Sequence, residues 1–117
     1  MIYNTKNLLD RVLRRFQLNV SSPHGPAHWG RVKSNGFEIA EHTKGVNLEV
    51  VELFACLYDS CRFNNHSDPS HGKRAVNFAE SLRGEYFDLA DDEFHLFSYA
   101  CEHHTSGQTE GDTTIQA

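Results

Sequence analysis

The sequence predicts an all-α protein, a compact bundle of about five helices, and three observations lead there. Apolar residues recur at three- and four-residue steps through most of the chain, which is the spacing of a helix that buries one face. Proline, glycine and capping residues fall between those periodic segments, where helices start and stop. The length, 117 residues, is near the usual size of one domain with one hydrophobic core.

The first helix is expected over Thr5 to Gln17, where Leu8, Leu9, Val12, Leu13 and Phe16 form a stripe with Lys and Arg between them. Leu18 to Pro26 contains two prolines, a glycine and two serines, a loop that ends with proline in the first turn of the next helix. The second helix runs from Ala27 to Thr43 with His28, Val32, Asn35, Ile39 and His42 on its stripe, and Gly45 closes it. Leu48 to Arg62 is the most apolar stretch; its length favours a central helix buried on most sides over a strand. After a polar loop at 63–67, Asp68 reads as an N-cap with Pro69 at the first helical position, and this fourth helix reaches Leu82 before Arg83-Gly84. The fifth begins near 88–92, where carboxylates suit the positive end of the helix dipole, and runs to His104 with Phe94, Phe97, Cys101 and His104 buried. Residues 1–104 thus form one helical domain, and 105–117, rich in Thr, Gly and acids, a polar tail.

Composition narrows the function. Sixteen acidic against eleven basic residues give a net charge of -5, and no basic block appears, which argues against nucleic acid as a partner. No apolar run approaches the roughly 20 residues that cross a bilayer, so no membrane span is expected. Three cysteines, odd in number, suggest no disulfide framework and fit a reducing cytoplasm. No phosphate-binding glycine loop, repeat or CxxC pair occurs.

The unusual element is histidine, eight in all. His28, Asp59, His71 and His103-His104 all fall at expected helix ends. Neutral imidazoles and carboxylates together can hold a divalent ion with a position open for water, whose proton such an ion releases near neutral pH. Asp59, near a helix C-terminus, needs a positive partner: Arg62, Arg31 or a cation. His104 lies on the apolar stripe and is preferred to His103. Arg31, Lys73 and Arg74 could hold a substrate phosphate. A structural zinc site from Cys61, His71, Cys101 and His104 matches no known ligand spacing.

Local wording adds to this. His28-Trp29-Gly30-Arg31-Val32 resembles the H-x-x-R-V opening of the HD metal-dependent phosphohydrolase superfamily. The segment from Phe54 to Arg62, containing Tyr58-Asp59, resembles the helix end that carries the family's His-Asp pair. His71-Gly72-Lys73-Arg74-Ala75, and Ala100-Cys101-Glu102-His103-His104-Thr105 with Gly107, resemble further histidine segments of bacterial HD proteins. The resemblance implies a helical bundle around one or two divalent ions (Mg, Mn, Co, Ni, Zn or Fe). Its implied metal ligands are His28, Asp59, His71 and His104, Asp59 is also the catalytic residue, and the substrate is a phosphoester or nucleotide. Two departures weaken the site. Tyr58 stands where the family has the histidine of its pair, and no match for the family's final aspartate occurs before Ala117, Asp112 lying in unlike surroundings. The expectation is a domain with a reduced metal site and weak or lost phosphohydrolase activity. The alternative is a non-catalytic helical module that forms a homodimer through surface left by the missing last helix.

Overall fold

The computed structural model describes residues 1–103 and is all-helical. Helix α1 spans Thr5–Arg15, α2 Pro26–Glu41, α3 Leu48–Leu57, α4 His71–Leu82 and α5 Asp91–His103. Among the described residues no strand forms; Ile2 and Arg83 each make an isolated bridge to Phe87. His104 and the expected tail at 105–117 lie outside the described residues.

Helix α3 is the axis of the bundle because its sequence gives it only two polar residues, Glu49 and Glu52. Seven of its ten residues are buried, and it packs against α1, α2 and α5. Leu53 and Leu57 lose all solvent contact, a gain of about 1.5–3 kcal/mol each over an exposed position. Asn47 starts the helix: its side chain accepts from the amides of Glu49 and Val50 at 2.9 and 3.3 Å, a cap worth about 1 kcal/mol. Asn4 does the same for α1 through the amide of Asn7.

Helix α4 pairs with α5 at very short range. A Cβ added to Gly72 would lie 1.9 Å from the carbonyl oxygen of Cys101, so only glycine lets the two backbones meet there. The expected stripe of α5 is borne out at Phe94, Phe97 and Cys101, all buried.

Three expectations are corrected. On α2 the buried residue is Trp29, not the stripe through His28; Ile39 is exposed. The indole Nε1 donates to the carbonyl of His24 at 2.8 Å and the ring meets Phe16 edge-on, so the preceding loop sets the rotation of the helix. On α1 only Leu8 and Val12 are buried, while Leu9 and Leu13 reach solvent. Finally, α4 begins at His71 with Ser70 as its cap residue. Asp68 does not cap it, because its carboxylate accepts instead from the amide of Phe63 at 2.8 Å and from Arg74 at 2.5 Å.

Candidate functional site around Asp59

Helix α3 ends at Leu57, and the chain turns sharply through Tyr58 to Cys61, with the amide of Ser60 donating to the carbonyl of Leu57. Tyr58, Asp59, Ser60, Cys61 and Arg62 are all buried. A carboxylate in such a place is costly unless paired and hydrogen-bonded. Asp59 is 1% exposed and both its oxygens are engaged. Arg62 Nε donates to Oδ1 at 2.9 Å, and His24 Nδ1 donates to Oδ2 at 2.9 Å. The arginine pairing expected for Asp59 is thus made by Arg62, three residues on. Arg62 is held in turn by Nη1 donating to the carbonyl of His66.

Two of the expected histidines join this cluster. His28 Nε2 lies 3.9 Å from Asp59 Oδ2 and bonds the hydroxyl of Tyr58. Burial lowers the His28 pKa, with Asp59 opposing and Arg31 reinforcing the shift. Burial, then the charge of Asp59, raises the Tyr58 phenol above its ordinary value. Both shifts favour the neutral forms, and a hydrogen bond to Asp59 adds to the rise at Tyr58, so a neutral phenol and a neutral imidazole share the bond between them. His71, 1% exposed, directs Nδ1 to the carbonyl of Tyr58 at 2.9 Å and lies 3.5 Å from Asp59 Oδ1. Burial lowers its pKa as well, the bond to Tyr58 offsetting part of the shift.

The remaining expected residues are placed elsewhere. Arg74 donates Nε to the carbonyl of Cys61, pairs with Asp68 and covers the ring of Phe63 at 3.7 Å, so its guanidinium is committed to holding the 63–70 loop. Lys73 and Arg31 are exposed; Arg31 reaches the cluster only through its charge, felt at His28. His103 packs on Tyr99, and His104 is outside the described residues. No role was expected for His24, and Arg62 was only one of several partners expected for Asp59. The His-Gly-Pro loop before α2 is the one local signal for His24.

These donors do not meet as a metal cage. The nitrogen that His71 turns toward Asp59 is the one that donates to Tyr58 O, so it offers no lone pair there. His28 Nε2 is taken by the Tyr58 hydroxyl, and a guanidinium occupies Asp59 Oδ1. Among the described residues no group of three or more His, Cys, Asp or Glu side chains is arranged to hold a metal ion. Burial pushes the Cys56 thiol up to about 12 and the Cys101 thiol well up, which removes both as nucleophiles at neutral pH. No helix of the described residues is long and apolar enough to cross a membrane.

The class defined by this architecture is a small all-α bundle with a charge-compensated polar cluster at the end of its central helix. No protein-family model, curated protein or solved structure matches the chain.

Proposed function

We propose that this chain is an HD-like helical domain whose phosphohydrolase activity is weak or lost, with the Asp59 cluster now serving to fix the bundle. The observation that supports this reading most is the engagement of both Asp59 oxygens by side chains of the chain itself, Arg62 and His24. A divalent ion would have to displace a buried guanidinium whose positive charge also repels it. Neutral His28 and His71 beside Asp59, in the order the HD resemblance implies, support descent from a metal site that bound a phosphoester or nucleotide.

The experiment is metal analysis of the purified protein, followed by thermal shift with Mn, Co and Ni and assay against phosphoester substrates. The reading expects no stoichiometric metal, no saturable stabilisation and turnover near background. Stoichiometric metal with turnover that His28→Ala abolishes would overturn it.

Self-association as a homodimer belongs to the same reading, supported by exposed Ile39 (42%) on α2 and Leu96 (41%) on α5. A stable monomer in sedimentation at micromolar concentration removes that part.

A further inference from the structure

Helices α1 and α2 both pack on α3, and between the three lies an apolar groove of about 280 Å³. Its floor is closed by Leu8, Trp29, Ala55 and Cys56, none more than 5% exposed. Its lip is Leu9 and Leu13, one turn apart on α1 and 36% and 37% exposed. Gly30 of α2 also lines it, and a Cβ added there would meet nothing within 4 Å. The other helical glycines differ. At Gly36 an added Cβ would lie 2.5 Å from Val51 Cγ1, and at Gly72 it would strike the backbone of Cys101. Those two make room for the chain's own packing, whereas Gly30 keeps open a space that no described side chain enters.

The walls select the occupant by charge, hydrogen bonding and size. Among the described residues lining the groove only Lys33 and Glu52 carry charge, and they pair with each other at 3.0 Å. A charged ligand would lose its hydration there with no opposite charge free to offset the loss. The polar groups of the floor are also engaged. The Trp29 indole donates to the carbonyl of His24 and the Cys56 thiol to the carbonyl of Leu53. Ordered water wants two to four polar partners, so such a floor holds water weakly and an apolar molecule displaces it with a gain. Size sets the upper bound. A cavity of roughly 150 Å³ with apolar walls takes benzene. The groove is about twice that, which suits a bicyclic molecule and is too small for the row of side chains a partner helix presents.

We propose that the groove between α1, α2 and α3 is a binding site for a small, neutral, largely apolar molecule of bicyclic size, entered past Gly30 and the leucine lip. None of His24, His28, Asp59 and His71 lines the groove, so the proposal does not depend on the reading of that cluster.

The test is an amide chemical-shift titration of the full chain with 3-ethylindole, which is neutral and bicyclic. Tryptamine and indole-3-acetate have nearly its shape and add a positive or a negative charge. The proposal expects saturable shifts at Leu9, Gly30, Ala55 and Cys56, with half-saturation below about 1 mM. Both charged relatives should bind at least about tenfold more weakly. Gly30→Leu, which fills the groove from α2, should weaken 3-ethylindole at least about tenfold with the thermal melt unchanged or raised. Leu9→Gln with Leu13→Gln changes only positions that already reach solvent. It should weaken binding at least about fivefold with helix content unchanged, and it decides the matter should Gly30→Leu fail to fold. Absence of saturable shifts up to about 2 mM, shifts confined to other surfaces, equal affinity for the three probes, or undiminished binding by a folded variant would each overturn the proposal. So would shifts at the same amides on concentrating the protein alone, which would give the groove to a second copy.

Discussion

Replacing Arg62 by methionine removes the guanidinium from Asp59 and keeps a side chain of similar length. The carboxylate left behind is 2% exposed and the arginine side chain 9%, so water does not replace the lost partner. Removing one member of a buried pair costs about 3–5 kcal/mol. The bond from Arg62 to the carbonyl of His66 is lost as well, about 1 kcal/mol. His24 still donates to Oδ2 and limits the damage, which places the expected loss near 3 kcal/mol. With roughly 4–8 °C per kcal/mol for a domain of this order, Tm should fall by about 12 °C or more. Urea unfolding at neutral pH, followed by circular dichroism, measures it. Replacing both residues, Asp59→Leu with Arg62→Met, should restore most of the stability, because an apolar pair can match a buried ion pair. A loss below about 1 kcal/mol for Arg62→Met, or no recovery in the double variant, would refute the view that the arginine holds a buried charge in place.

Further outcomes follow from the same geometry. Burial lowers the pKa of His28 and of His71, so below their ordinary value of 6.5 the unfolded chain binds protons that the folded one refuses. Stability should therefore fall as pH drops from 7 toward 5, and His71→Gln should flatten that slope in urea titrations; a wild-type profile level across the interval contradicts this. Gly72→Ala should cost about 1–3 kcal/mol, since its Cβ meets backbone of α5 that cannot rotate away. Gly30→Ala, with open space at the same atom, should instead stabilise by about 0.5–1 kcal/mol. Equal signs for the two variants in thermal melts would show that the glycines are equivalent. His28→Ala should lower stability modestly without changing metal content, because its ring nitrogen already has the Tyr58 hydroxyl as a partner.

How far the sequence disclosed the structure depended on whether the deciding contact was local. The start and buried body of helix α3 were legible because its apolar run lies within one short segment, but its end was not: the helix expected to reach Arg62 stops at Leu57, where the buried turn around Asp59 takes over. The rotation of α2 was not, because it is set by the Trp29 indole reaching back to the carbonyl of His24. Asp68-Pro69 read as a helix start because an aspartate before proline commonly is one, but Arg74 and the Phe63 amide compete for the same carboxylate. At the site, His28, Asp59 and His71 were found by wording and do converge. His24 was not, since a loop histidine and a buried aspartate 35 residues apart carry no mutual signal in the chain. Whether an arginine or a cation balances Asp59 is likewise decided by packing.

The contact at Gly72 also governs how the molecule can move. Two helix backbones pressed together at one point make a pivot with no lateral play, so α4 can rock about that point but not slide along α5. His71 is the neighbouring residue and therefore stays almost still through such a motion. The displacement is passed to the opposite end of α4, where Leu82, Arg83 and Gly84 lead into the turn that carries Phe87. Hydrogen exchange should accordingly be slower at 75–79, the first amides of α4 with helical partners beside that contact, than toward 84–87, a gradient from α4 into the turn that follows it.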